Sequence, residues 1–239
     1  MNNRLPIGTL INMTAIVVGS LIGLTLQQAF PPNIKLIVFQ AIGLVTLLIG
    51  IQMSLKIPDG YLLILIFSLI IGGVVGELIH LDTRLANFGD FLKDTFSIGD
   101  ERFTEGLVTA FLLYCVGSMT IVGAIEEGIS GNRELLMIKS TLDGVSSIAF
   151  ASTYGVGVLF SIIPMFLFQG GMTVLAKRLK PIFTPIIIAQ LSAVGGLLIL
   201  GIGIRLLELG TINIENLLPS LLTIVAFTWI YDKWKAKNV

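Results

Sequence analysis

Residues 7–26 read IGTLINMTAIVVGSLIGLTL and contain no charged residue. Because a helix rises about 1.5 Å per residue, about 20 apolar residues cover the roughly 30 Å hydrocarbon core of a bilayer. Inside that core the backbone satisfies its own hydrogen bonds only as a helix or a closed barrel. The stretch carries Asn12 and lacks a small-x-small cleavage pattern near its end. It therefore predicts an uncleaved transmembrane helix rather than a signal peptide.

Similar apolar segments recur along the whole chain, separated by short charged connections. They lie at 36–55, 61–79, 107–125, 145–176, 186–204 and 217–231. The chain is 54% hydrophobic and 13% charged, and its mean hydropathy is +0.94, whereas about a quarter of the residues in soluble domains are charged. We predict an all-α, polytopic transmembrane helical bundle in the lipid bilayer, with residues 1–239 forming a single membrane domain.

The number of crossings depends on residues 140–154. At about fifteen residues this stretch is short for a full span, so we favour seven crossings, with the stretch re-entrant or fused to the next helix; eight is the alternative. Both arrangements place the basic run 177–180 and the C-terminus in the cytoplasm, as the positive-inside rule requires.

Two stretches suggest an internal repeat. Residues 50–55 (GIQMSL) resemble 201–206 (GIGIRL), each at the end of an apolar segment. The pattern favours two three-helix units, 7–79 and 155–231, which flank an interfacial connection at 80–103 and central segments at 104–154. Internal duplication of this kind is common among membrane transporters.

A second and shorter repeat, which we call the echo, lies within residues 104–154. Residues 104–109 (TEGLVT) resemble 141–147 (TLDGVSS), and an acid, two glycines and a hydroxyl recur at an offset of 38 residues. One interpretation is a favourable helix start, in which the hydroxyl caps free N–H groups and the acid meets the helix dipole. The other is a pair of half-helices whose ends contact a solute. We predict a helix break or close packing at the four glycines of this pattern, Gly106, Gly117, Gly144 and Gly155.

Two further patterns concern surfaces and packing. The connection after residue 80 carries apolar residues at helical spacing, which predicts an amphipathic helix at the membrane surface that ends at Gly99; these residues are Leu81, Leu85, Phe88, Phe91, Leu92 and Phe96. A shorter stretch of this type covers 133–139.

Small-xxx-small pairs at Gly19/Gly23 and Gly72/Gly76 favour close helix packing, with homo-oligomerisation as an alternative use.

Polar residues within the apolar segments are the candidates for a functional path, because ionisable groups in a bilayer are costly. Asp143 leads, since hydroxyl side chains follow it on the next turns, and Glu105 is its counterpart in the echo. The remaining candidates are Ser146, Ser147, Thr109, Ser152, Thr153, Asn12 and Gln169. Two alternatives stay open. Lys139, four residues before Asp143, provides a purely structural ion pair, and the amides bond neighbouring helices.

Several functional classes are not supported. The chain has one histidine, His80, and no G-x-S-x-G, H-E-x-x-H or Walker motif, so we expect no enzyme, no cofactor and no metal site. There is no basic face for nucleic acid. The single cysteine, Cys115, lies within an apolar segment and has no disulfide partner in the chain.

Several stretches together resemble a known family. They are residues 8–12 (GTLIN), 114–128 (YCVGSMTIVGAIEEG), 139–144 (KSTLDG), 148–153 (IAFAST), 155–161 (GVGVLFS) and 169–170 (QG). The chain is similar over essentially its whole length to the bacterial domain-of-unknown-function 554 family. The resemblance implies a multi-pass protein of the bacterial inner membrane and brings no established activity or catalytic residue with it.

From the residues we expect a small-solute or ion transporter or channel in which segments 104–128 and 139–161 line a polar path. The competing hypothesis is a structural or regulatory membrane protein that moves nothing. A transporter presents its polar groups to a cavity, whereas a packing protein directs them against neighbouring helices.

Overall fold

The structure is a computed structural model and describes residues 5–96 and 102–238, within which every regular element is a helix. In chain order the helices are α1 (Ile7–Ala29), α2 (Pro32–Ser54), α3 (Leu62–Leu78), α4 (Leu81–Phe96), α5 (Phe103–Cys115), α6 (Ser118–Ser130), α7 (Glu134–Tyr154), α8 (Gly157–Phe160), α9 (Ile162–Met165), a π-helix (Phe166–Gly170), α10 (Gly171–Val174), α11 (Ala176–Leu179), α12 (Pro185–Leu206), α13 (Ile214–Leu217) and α14 (Ser220–Asn238).

Five stretches of the described chain are long and apolar enough to cross a bilayer. They are Ile7–Ala29, Leu36–Ser54, Gly157–Val174, Pro185–Leu206 and Ile214–Lys235. Two pairs of shorter helices, each bent by 61°, raise the number to seven if each pair is one span: Leu62–Leu78 with Leu81–Phe88, and Phe103–Cys115 with Ser118–Ser130. The predicted polytopic α-helical bundle is confirmed.

Helix α7 is longer than the sequence segment that predicts it. It runs without interruption for 21 residues, Glu134–Tyr154. It therefore includes residues 134–139 of the stretch 133–139, which we predicted to be a short amphipathic helix at the membrane surface. It ends at Gly155, whose φ of 74° is in the region that favours glycine, so α7 is separate from the next helix. We interpreted residues 140–154 as re-entrant or fused because a stretch of about fifteen residues is short for a span. The structure corrects that length, since these residues belong to a helix of 21 residues. Whether α7 crosses the bilayer stays a prediction.

The chain divides into two compact units. Unit 1 comprises Met1–Ile42 and Phe88–Pro181, and unit 2 comprises Gly43–Asn87 and Ile182–Val239. Each unit takes residues from both of the predicted three-helix units, 7–79 and 155–231. The internal repeat and the single membrane domain therefore stay predictions from the sequence.

Unit 1 is built around the pairing of α1 with α7. A Cβ atom added to Gly19 would lie 2.1 Å from the carbonyl oxygen of Gly144, and one added to Gly23 would lie 2.4 Å from that of Ile148. Helices α5 and α8 approach each other in the same way at Gly157, where an added Cβ would lie 2.0 Å from the carbonyl oxygen of Phe103. The predicted close packing at Gly19 and Gly23 is therefore observed within one chain.

Unit 2 uses small residues in the same manner. Gly72 and Gly76 of α3 pack directly on the backbone of Ser220 and Asn216, and Gly50 of α2 packs on Leu200 of α12. The polar contacts of the unit lie mainly near helix ends. Arg205 binds Glu215 through two hydrogen bonds of 2.9 and 3.0 Å.

Helix α4 confirms the predicted helix after residue 80. It begins beyond a bend at Ile79–His80, where the backbone N–H of Asp82 donates to Asn216 Oδ1 at 2.8 Å. Phe88 and Phe91 are 46% and 62% exposed, as expected for apolar groups of a surface helix. The side chains of Leu92 and Phe96 are not described, and the predicted end at Gly99 lies outside the described residues. The interfacial location stays a prediction.

Candidate functional site

A buried polar cluster lies within unit 1 and is formed by Asn12, Lys139, Asp143 and Gln169, the Asp143 cluster. Lys139 Nζ lies 2.5 Å from Asp143 Oδ1, and both side chains are less than a tenth exposed. Asn12 Nδ2 donates to Asp143 Oδ2 at 2.9 Å and to Gln169 Oε1 at 3.2 Å. Three sequence-predicted candidates, Asn12, Asp143 and Gln169, are thus brought together from α1, α7 and the π-helix.

Helix α7 positions the charged pair of this cluster. Lys139 and Asp143 are four residues apart, which places them on one face of the helix, one turn from each other. Gly144 allows α7 to approach α1 closely, since a Cβ there would lie 3.2 Å from the Ala15 Cβ atom. This close approach brings Asn12 of α1 within hydrogen-bond distance of Asp143.

Hydroxyl groups extend the cluster along α7 toward α5. Ser147 Oγ donates to the carbonyl oxygen of Asp143 at 2.6 Å and lies 2.9 Å from the Tyr114 hydroxyl. Ser146 Oγ donates to the same carbonyl at 3.1 Å. Lys139 Nζ lies 5.9 Å from the centre of the Tyr114 ring, within cation–π range. The sequence does not single out Tyr114, although this residue lies one turn before the predicted break at Gly117.

Two amide atoms of the cluster lack a hydrogen-bond partner. Asn12 Oδ1, an acceptor, and Gln169 Nε2, a donor, are buried and find no partner among the described residues. Because an unpaired buried polar group costs about 1–3 kcal/mol, a bound water or solute that donates to Asn12 Oδ1 or accepts from Gln169 Nε2 would relieve that cost.

Two irregular backbone segments border the cluster. Helix α5 ends at Cys115 and α6 begins at Ser118, so Val116 and Gly117 interrupt a span that bends by 61°. The carbonyl oxygen of Tyr114, released by this break, accepts from Thr120 Oγ1 at 2.7 Å. The second segment is the π-helix Phe166–Gly170, which contains Gln169. Broken helices and π-helical turns are features that membrane proteins use at solute and cofactor sites.

The other sequence-predicted candidates lie apart from the cluster or bond their own helix. Ser152 and Thr153 both donate to the carbonyl oxygen of Ala149, at 2.8 and 3.0 Å. Thr109 is fully buried in α5, and its hydroxyl finds no partner among the described residues. Glu105 lies in the first turn of α5, about 13 Å along the helix axis from Tyr114.

The four glycines of the echo serve different purposes. Gly117 and Gly155 lie at helix ends, and a Cβ on Gly117 would contact nothing within 4 Å. Gly106 and Gly144 are packing positions, where an added Cβ would lie 2.8 Å from Tyr154 Cβ and 3.2 Å from Ala15 Cβ, respectively.

A second buried acid, Glu127, was missed by sequence analysis. It is fully buried, and its Oε1 accepts from the backbone N–H of Gly8 and from Arg133 Nε, both at 2.8 Å. Its Oε2 lies 3.5 Å from Thr173 Oγ1. The signal in the sequence is helical spacing: Glu127 continues the buried face formed by Thr120 and Ala124, whereas its neighbour Glu126 does not.

Metal coordination is not evident in the part of the chain that the structure describes, where no group of three or more His, Cys, Asp or Glu side chains is arranged to hold an ion. The Asp143 cluster contains one carboxylate, one ammonium group and two amides, and the Glu127–Arg133 pair contains a second carboxylate and a guanidinium group. Side chains of these types can bind a small polar or charged group by hydrogen bonds and charge.

Comparison with known proteins agrees with this architecture. The family model described as a protein of unknown function, DUF554, matches residues 7–229. The uncharacterized membrane protein YdfK of Bacillus subtilis (strain 168) is 34% identical over 217 residues, 90% of this chain and 92% of that protein. The uncharacterized protein YqgA of Escherichia coli (strain K12) is 30% identical over 235 residues, 96% and 99% of the two chains. No solved structure matches significantly. The chain belongs to the DUF554 family and is a multi-pass helical membrane protein.

Proposed function

We propose that this member of the DUF554 family is a small-solute or ion transporter or channel of the bacterial inner membrane, with the Asp143 cluster on its path. The supporting observation is a buried carboxylate that a lysine and an amide hold inside an apolar helical protein. Ionisable groups within membrane segments are costly and are retained chiefly where they bind or move a solute. We propose no enzymatic activity and no nucleic-acid partner.

The arrangement around Asp143 favours a solute site over a simple ion pair. Asn12 and Gln169 come from different helices and each leaves one amide atom unpaired. The break at Val116–Gly117 and the π-helix at Phe166–Gly170 both lie beside the cluster. In transporters, interrupted helices of this kind release backbone groups where they line a cavity.

A structural or regulatory membrane protein is the second candidate, and one observation favours it. A groove of about 520 Å³ runs between α1 and α7, and most of the side chains that line it are apolar, such as Ile11, Val18 and Val145. A groove of this type suits a lipid chain or the helix of another copy better than a polar solute. In that case Lys139 and Asp143 would only stabilise the helix pair.

Transport itself is the test that separates the two candidates. We expect purified protein in proteoliposomes to take up at least one member of a broad panel of ions and metabolites faster than protein-free liposomes do. The measurement is uptake and efflux of each labelled compound under an imposed gradient. If no compound moves faster than in protein-free liposomes, in either direction, the structural hypothesis is the correct one.

The orientation is tested separately, and we propose that the C-terminus is cytoplasmic. Single cysteines at Lys177 and Lys237, in a chain with Cys115 replaced, are expected to be shielded from a membrane-impermeant thiol reagent in intact cells. Labelling of either position would reverse the orientation. A cysteine at Asn87 serves as the discriminating position, because seven crossings place it inside the cell and eight place it outside.

A further inference from the structure

The pair formed by Glu127 and Arg133 differs from the pair in the Asp143 cluster. Glu127 is fully buried, whereas the Arg133 side chain is 39% exposed. Glu127 is also held by the backbone N–H of Gly8. The acid is therefore the fixed member of the pair, and the guanidinium is the member that can move into solvent.

Three stretches of chain connect the two pairs. Gly8 and Asn12 are one turn apart on α1, and Gln169 and Thr173 are four residues apart, in the π-helix and in α10. Arg133 and Lys139 lie at and near the start of α7. Each stretch thus supplies one group to the surroundings of Glu127 and a second, four to six residues away, to the Asp143 cluster.

A polar path, meaning a row of polar groups and not a continuous chain of hydrogen bonds, lies between the two acids, because the single Thr173 hydroxyl proton bonds only one acceptor at a time. Thr173 Oγ1 lies 3.5 Å from Glu127 Oε2 and donates to the Gln169 carbonyl oxygen at 3.2 Å. The Gln169 side chain accepts from Asn12, which also donates to Asp143. The exposed end of this polar path is therefore the place where Arg133 meets Glu127.

We propose that the Glu127–Arg133 pair closes the exposed end of the path to Asp143, and that Glu127 is a binding site for a cationic solute whose place the Arg133 guanidinium occupies. This inference rests on the proposed function and gives its solute a charge class. When Arg133 moves into solvent, a buried carboxylate remains with one backbone N–H and one hydroxyl. A buried charge of this kind requires compensation, which a bound cation provides. An anion would instead require the fixed acid to move.

The test measures access to the path by chemical labelling. In a Cys115→Ser background, Thr173→Cys places a thiol beside Glu127, and a membrane-impermeant thiol reagent is applied to the protein in detergent. We expect Arg133→Ala to raise the labelling rate about tenfold, which corresponds to about 1.4 kcal/mol. Arg178→Ala, at an exposed arginine, is the control and should leave the rate unchanged. An unchanged rate in Arg133→Ala would overturn the closing role.

Free guanidinium tests the cation site directly, because it is the same chemical group as the end of Arg133. We expect guanidinium chloride to slow the labelling of the Arg133→Ala protein, whereas potassium chloride at equal ionic strength does not. Adding Glu127→Gln should remove this protection, and Glu126→Gln should preserve it. Labelling that is accelerated but not protected would refute the cation site.

A failure of this inference can be distinguished from a failure of the proposed function. Labelling and protection are measured without a transport assay, so a failure of the liposome panel leaves them interpretable. Conversely, transport that depends on Asp143, together with a labelling rate that does not change in Arg133→Ala, would retain the path and reject the closing role of the Glu127–Arg133 pair.

Discussion

The double variant Asp143→Asn/Lys139→Gln is expected to lose transport while it keeps a thermal stability close to that of the wild type. Removing both members of a buried ion pair leaves no uncompensated charge, so the double variant avoids the cost of a single unpaired buried charge. The single variant Asp143→Asn is expected to be less stable, because Lys139 Nζ then loses the carboxylate that lies 2.5 Å away. Removing one partner of a buried pair costs about 3–5 kcal/mol.

The measurements are solute flux in proteoliposomes and thermal melting in detergent for the single and double variants. A matched control is Arg205→Gln/Glu215→Gln, which removes the bidentate ion pair of unit 2. That variant should retain flux. Wild-type flux in the Asp143→Asn/Lys139→Gln protein would remove Asp143 from the path and leave the pair as a structural element.

Much of the fold follows from hydropathy alone. Apolar segments of the required length predict helices, and the structure contains them with shifted ends. The largest shift is at α7, which begins at Glu134. Its first turns carry two charged residues, the exposed Glu134 and the buried Lys139, so the hydropathy signal begins later than the helix. Hydropathy reports the surroundings of side chains, whereas the helix boundary depends on backbone hydrogen bonds.

Individual residues of the candidate site could be predicted from the sequence, but their arrangement in space could not. Asn12, Asp143 and Gln169 stand out because polar groups are rare in apolar segments. Their distances of 2.9 and 3.2 Å depend on how α1 and the π-helix rotate against α7, which is decided by packing at residues such as Gly144. A repeated sequence motif does not show how helices rotate against one another. The echo made Glu105 the counterpart of Asp143, yet it lies at the opposite end of α5 from Tyr114.

Glu127 illustrates a different difficulty. Glu126 and Glu127 are adjacent acids at the end of an apolar segment. The sequence alone gives no reason to place either of them anywhere but at a solvated helix end. Only the helical phase separates them, because Glu127 faces Gly8 and Thr173 and Glu126 is only partly buried. Prediction of such a residue requires the position of the neighbouring helices, which a single sequence does not supply.

Gly19→Leu is expected to disrupt the packing of α1 on α7 and with it the assembly of unit 1. Even a Cβ atom at Gly19 would lie 2.1 Å from the Gly144 carbonyl oxygen, and a backbone oxygen cannot move aside without separating the helices. Overpacking of a close contact costs about 1–3 kcal/mol, and a leucine side chain adds further clashes. Asn12 lies seven residues earlier on the same face of α1, so its bond to Asp143 should be lost as well.

The graded series Gly19→Ala and Gly19→Leu distinguishes packing from a general intolerance of substitution at glycine. Gly171 is the matched control, since it is helical and an added Cβ would meet nothing within 4 Å. Alanine at Gly171 should be neutral or stabilising, because Ala is favoured over Gly in helices by about 1 kcal/mol. Thermal melting in detergent, with size-exclusion profiles, provides the comparison. Equal melting temperatures for Gly19→Leu and Gly171→Leu would show that α1 and α7 do not depend on this contact, and the position of Asn12 beside Asp143 would then need another cause.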